Sequence, residues 1–148
     1  MLRYKIFWLL LHDRVNTKGL LHRKSFHLPS YMCELCTDQV EETAMHLFWD
    51  CPFALRCRDM IIPLKHRDTC VLYEILLGLN HLPKEVGLNF IIMACWQIWM
   101  QRNGKIFKHI TPNVMTWKVL LKKDLVLLQH KIKLKHKQSF SDWIDTYF

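Results

Sequence analysis

Four residues with the chemistry of metal ligands fall within one short span: Cys33, Cys36, His46 and Cys51, spaced C-x2-C-x9-H-x4-C. Thiolates and imidazole are soft or borderline donors, and closely spaced pairs of them are what zinc loops use. Two cysteines on a tight turn can hold one edge of a tetrahedron while His46 and Cys51 hold the other. Four protein ligands leave no position open for water, so the expectation is one structural Zn2+ that hydrolyses nothing. A thiol-redox reading of the C-x-x-C needs a βαβ setting and a helix N-terminus after the first cysteine, and neither is evident. Cys57 is an alternative fourth ligand in place of His46. It lies six residues past Cys51 in an expected helix, where it reads more simply as a packed thiol, and Cys70 and Cys95 read as core.

Other chemistries lack their residues. The chain has no glycine-rich phosphate loop, no nucleophile elbow, no paired-acid hydrolase motif, and no adjacent aspartates of the sort that hold two magnesium ions in a polymerase. The expectation is that it is not an enzyme. With 148 residues, 51% hydrophobic and 23% charged, it can build one core, and its low Gly and Pro content argues against disorder. A formal net charge of +8 favours phosphate-rich or acidic partners. The apolar runs are too short to cross a bilayer, and a basic start followed by His12-Asp13-Arg14 lacks the small residues of a signal-cleavage site. The protein is therefore expected to be intracellular, in nucleus or cytoplasm, not secreted and with no membrane partner.

The elements that must position the four ligands follow from helical periodicity, which dominates the chain. The expected fold class is a small all-α domain around an irregular CCHC zinc loop, followed by long C-terminal helices. A buried helix is expected over residues 4–12 and a second, capped by Thr17, over 17–26. A helical stretch over 42–49 precedes one opened by Pro52 that runs to 62 and is ended by Pro63. Pro83 opens a long helix over 84–103, with Gly104 in the left-handed closing position. Thr111-Pro112 opens another, in which Val114, Trp117, Leu121, Leu125, Leu128 and Ile132 recur at steps of 3, 4, 4, 3 and 4 as one apolar stripe. Ser139 or Ser141 caps a terminal helix carrying Trp143 and Tyr147, and residues 67–81 read as helix plus loop. Trp96 and Trp99 read as core, and Arg102-Asn103 as a capping and dipole contact.

The run from Trp8 to Phe26, then Cys33-x2-Cys36, then Glu41-Glu-Thr-x-x-His-Leu-Phe-Trp-Asp-Cys-Pro-Phe-Ala54 resembles the zinc-binding domain that follows the reverse transcriptase of plant LINE-like (non-LTR) retrotransposons. Trp96-x-Ile-Trp99-x-x-Arg102-Asn103-x-x-Ile-Phe107 resembles the helix that follows this domain. The resemblance implies a zinc-binding domain over residues 1–62, a helical extension over 63–148, and zinc ligands at Cys33, Cys36, His46 and Cys51. It also implies a segment of a larger polyprotein, with the parent reverse transcriptase and RNA or DNA as partners. Residues 1–32 hold six Lys and Arg against one acid, net +5, whereas residues 33–51 hold five acids and no Lys or Arg, net −5. Phosphate contacts are therefore expected away from the zinc loop, on Lys18, Arg23 and Lys24 and on Lys118, Lys122, Lys131, Lys133, Lys135 and Lys137. The alternative is a protein-interaction module, or a domesticated or decaying remnant, with no nucleic-acid role.

Overall fold

Apolar side chains at helical spacing set the architecture: the computed structural model describes residues 2–61 and 86–148, and among them there are helices and no strand. The expected features at Pro63, residues 67–81, Cys70 and Pro83 lie outside the described residues. Helix α1 (Leu2–Leu11) buries Phe7 and Leu10 but leaves Tyr4, Trp8 and Leu11 exposed. The expectation of a buried helix thus holds for one face only, because an isolated apolar run without polar interruptions does not reveal which side meets the core. Helix α2 (Lys18–Arg23) starts as expected, with the Thr17 Oγ1 accepting the Leu20 N–H at 3.2 Å. It ends before residue 26, where Ser25 turns to φ 60.

The loop that follows folds back on itself. Met32 and Glu41 form an isolated antiparallel bridge, flanked by Cys33 N–H to Val40 O and Glu42 N–H to Tyr31 O, both 2.9 Å. A π-helical turn (His46–Asp50) then leads directly into helix α3 (Pro52–Asp59), with Pro52 at the first helical position as its missing N–H allows.

Helix α4 (Gly87–Lys108) outruns its expected end. Gly104 stays helical, and the left-handed residue is His109 at φ 54, with the Ile110 N–H reaching the Gly104 carbonyl at 3.1 Å. The His109 N–H bonds to the same carbonyl, a six-to-one closing bond, and its left-handed position tolerates histidine better than most side chains. Helix α5 (Val114–Leu128) is capped by Asn113, whose Oδ1 accepts the Thr116 N–H at 3.0 Å, rather than by Thr111-Pro112. A short 3-10 turn (Gln129–Lys131) leads to helix α6 (Leu134–Tyr147), which begins after Lys133, not at Ser139 or Ser141.

The apolar stripe of α5 is the spine of the core. Trp117, Leu121, Leu125 and Leu128 are buried against Phe90, Ile91 and Ile98 of α4 and Phe140 and Ile144 of α6, with Val114 and Ile132 packed at the margins. Each such side chain contributes about 1.5–3 kcal/mol when taken from water. The indole of Trp117 keeps its donor satisfied by the Ala94 carbonyl at 3.3 Å. Trp99 packs on the same core and stacks on Phe48, whereas Trp96 is only partly buried. Asp124, buried within α5, receives Arg3 of α1 at 2.8 Å and the Gln97 amide of α4 at 2.6 Å, joining three helices through one carboxylate.

Candidate metal centre

The bridge between Met32 and Glu41 closes a loop that carries Cys33 and Cys36 on its first arm, with Gln39 at φ 54 completing the return. His46 and Cys51 sit at the two ends of the π-helical turn. The Cys51 N–H donates to the His46 carbonyl at 2.7 Å, an i to i+5 bond. That wider turn draws the H-x4-C pair together, and the Thr43 Oγ1 accepts the His46 N–H at 3.0 Å to fix where it begins. The expected helix over 42–49 is therefore this π-turn and its lead-in.

The four ligand atoms all lie within 4.8 Å of one another. Cys33 Sγ is 3.9 Å from Cys51 Sγ, and Cys36 Sγ is 3.4 Å from His46 Nε2. A zinc ion about 2.3 Å from thiolates and about 2.0 Å from imidazole sets tetrahedral edges of roughly 3.8 Å between sulfurs and roughly 3.5 Å from sulfur to nitrogen. The donor set and its spacing fit one zinc ion, held by Cys33, Cys36, His46 and Cys51 with no ligand position left over. Cys57 lies outside the cluster, fully buried in α3, where burial pushes its thiol up to about 12. Burial likewise raises Cys95 to about 12.

Of the three ligating thiols, Cys51 alone is drawn toward the thiolate form. A hydrogen bond from Cys33 holds the Cys51 thiol down to about 6 against the opposing effect of burial, and the Phe53 and Ala54 amides at the start of α3 act in the same direction as that bond. The same bond, together with burial, pushes Cys33 far above the ordinary thiol range, and burial raises Cys36. Zinc takes thiolates, so loading displaces these protons.

Glu42, one of the five acids of the net-negative zinc loop, is fully buried beside this site. Its carboxylate accepts from Arg102 Nη2 at 2.6 Å, from Arg102 Nε at 3.1 and 3.2 Å, and from the Lys18 backbone N–H at 2.9 Å. The Arg102 guanidinium also lies 4.7 Å from the Trp99 ring centre. Arg102 is thus a clamp on the zinc loop, not a helix cap. Gly19 permits the close approach, since a Cβ there would stand 3.0 Å from the Glu42 carbonyl oxygen.

The expected phosphate-binding residues separate into two groups. On α2, Lys18 is buried, with Nζ on Glu34 at 2.5 Å and on the Met32 carbonyl at 3.1 Å, so it is not a surface cation. Arg23 is exposed but paired with Asp13 at 2.7 Å, and His22 meets Glu41 at 3.0 Å. Of the α2 trio, Lys24 alone is exposed with no ion-pair partner among the described residues. Lys18 and His22 thus answer two acids of the zinc loop, while Arg23 answers Asp13 in the turn after α1. In the C-terminal group Lys131, Lys133 and Lys135 are exposed and Lys137 half-buried, none with an ion-pair partner among the described residues. Lys118 and Lys122 are half-buried, Lys118 with its ammonium 5.7 Å from the Phe148 ring centre.

Residues 1–57, which contain all four ligands, match the family model described as zinc-binding in reverse transcriptase. No curated protein and no solved structure matches the chain. Residues 1–57 are thus similar to the zinc-binding domain of reverse transcriptases, and the match is to that accessory domain, not to a catalytic one. Among the described residues, no helix is long and apolar enough to cross a membrane.

Proposed function

We propose, from the premise of a reverse-transcriptase-type zinc domain at residues 1–57, that this chain is a non-catalytic accessory segment of a plant LINE-like, non-LTR retrotransposon polyprotein that binds RNA or DNA. In this reading residues 1–62 form the zinc domain and 63–148 a helical extension packed on it, working beside the parent reverse transcriptase in nucleus or cytoplasm. The zinc ion is a staple that orients the surrounding helices. One observation carries the binding role: Lys131, Lys133 and Lys135 stand exposed without carboxylate partners among the described residues, while Glu34, Glu41 and Glu42 of the zinc loop are paired with cationic side chains or histidine. Unpaired lysines on one segment are the electrostatic footprint of phosphate binding.

The test is binding of the zinc-loaded chain to labelled single-stranded RNA and DNA across a salt series. Replacing Lys131, Lys133, Lys135 and Lys137 by Gln is expected to weaken binding to all sequences. Each lost contact lowers the log–log salt slope by about 0.7 on single strands, so the four together remove roughly 3. A variant that binds with the wild-type slope overturns the assignment. Failure of the wild type to bind either nucleic acid at low salt favours the interaction-module or remnant reading, which the exposed Met115, Val119 and Leu127 of α5 would then serve.

A further inference from the structure

The junction of α1, α4 and the start of α6 holds a cleft of about 400 Å³ lined by Tyr4, Asn89, Lys131, Lys133 and His136 over an apolar floor of Leu128 and Ile132. We infer that this cleft seats a phosphodiester of a single-stranded nucleic acid, and that the adjoining bases stack on Tyr4 and Trp8. The inference rests on the nucleic-acid reading above and goes further by naming the strand type, the seat and the stacking residues.

Three observations converge there. Among the described residues no acid lines the cleft; Asp124, close by in α5, is buried and already held by Arg3 and Gln97. The start of α6 also inverts the usual rule for helix ends. Acidic groups are stabilising at the positive end of a helix, yet α6 has no acid in its first turn and no side-chain cap. Lys133 stands at the cap and Lys135 follows, so an anion brought from outside would supply the negative charge that the first turn of α6 lacks. Local rules broken in this way mark functional positions. Finally, an aromatic side chain, Tyr4, lines the cleft together with the lysines. The Tyr4 hydroxyl donates to Asn89 Oδ1 at 2.8 Å, which fixes the ring at the cleft mouth. One turn along the same face of α1, Trp8 is 52% exposed, and its ring leans on His12 with centroids 4.3 Å apart. A basic groove beside exposed aromatic faces is how proteins hold single strands, whose bases are free to stack, whereas duplex bases are already stacked on each other.

The experiment uses the zinc-loaded full chain and a short fluorescent oligo-dT or oligo-U, followed by anisotropy over a salt series. Trp8→Leu, at an exposed position and with folding checked by circular dichroism, is expected to weaken binding about tenfold with an unchanged salt slope. Trp8→Phe, which keeps an aromatic face, should restore most of the affinity. Lys131→Gln with Lys133→Gln should lower the slope by about 1.4. If Trp8→Leu and the double lysine variant both bind as wild type while the four-lysine variant of the previous section is impaired, this path is wrong and the broader function stands. If the wild type does not bind either oligonucleotide at about 50 mM salt, both fall. Binding to anionic phospholipid vesicles that oligonucleotide does not compete away would make the same face a membrane contact, and would also overturn the inference.

Discussion

Removing the Arg102 guanidinium should unbalance the molecule more than any other single charge change. In Arg102→Met the Glu42 carboxylate stays fully buried, loses contacts at 2.6, 3.1 and 3.2 Å, and keeps only the Lys18 amide at 2.9 Å. Breaking a buried ion pair from one side costs about 3–5 kcal/mol, because the remaining charge is left without compensation. Loss of the contact between Arg102 and the Trp99 face adds about 0.5–2 kcal/mol, partly offset by the apolar methionine. A total near 4 kcal/mol is a large share of the 5–15 kcal/mol that a domain typically has. At roughly 2–4 °C per kcal/mol for a chain of this size, Tm should fall by about 10–15 °C. The assay is guanidinium and thermal unfolding of zinc-saturated protein, run on Arg102→Met, Glu42→Gln and the double variant. The double variant should be less destabilised than the sum of the singles by about 0.5–3 kcal/mol, since neutralising Glu42 removes the orphaned charge. A single-variant loss below about 1 kcal/mol, or strictly additive effects, would refute the clamp as described.

Chelation of the metal, or Cys33→Ser, should abolish stoichiometric zinc in elemental analysis and markedly lower the thermal stability of the loop, because sites of this kind bind with about 10–16 kcal/mol near neutral pH. Since the metal-free pocket holds Cys33 and Cys36 protonated and zinc takes only thiolates, loading should release protons, and zinc affinity should fall as pH falls, as competition with a chromogenic chelator would measure. Leu121→Ala, at the fully buried centre of α5, should cost about 2–5 kcal/mol in denaturant unfolding. Thr17→Ala should cost about 1 kcal/mol by removing the cap on α2.

The metal ligands are legible from spacing alone, because their chemistry and close pairing constrain one another within a single loop. The α5 stripe is legible for a similar reason: five apolar positions on one helical face, from Val114 to Leu128, leave a single way to bury them. What cannot be read locally is pairing across distance. Lys18 looks like a solvent-facing cation until the loop brings Glu34 to its ammonium, and Glu42 is indistinguishable in sequence from its exposed neighbours in the acidic stretch. Arg102 sits sixty positions from its partner, so no helix-end rule points to it. Helix ends drift for another reason. Near α5 both Thr111 and Asn113 are able to cap, and the choice falls to Asn113, whose own N–H is tied to Gln101 Oε1 at 3.1 Å, a contact made by the preceding helix.

The buried pair between Glu42 and Arg102 has a consequence for where the molecule can be divided. Residues 1–57 carry the zinc ligands and the family match, but not the cation that neutralises their one fully buried carboxylate, nor the Trp99 surface on which Phe48 rests. A fragment cut at that border would bring a naked charge and an uncovered aromatic face into water. The stretch that matches the family model is therefore smaller than the set of residues that bury this pair, and a transplanted copy of that stretch would need α4, or a substitute arginine-bearing helix, to travel with it.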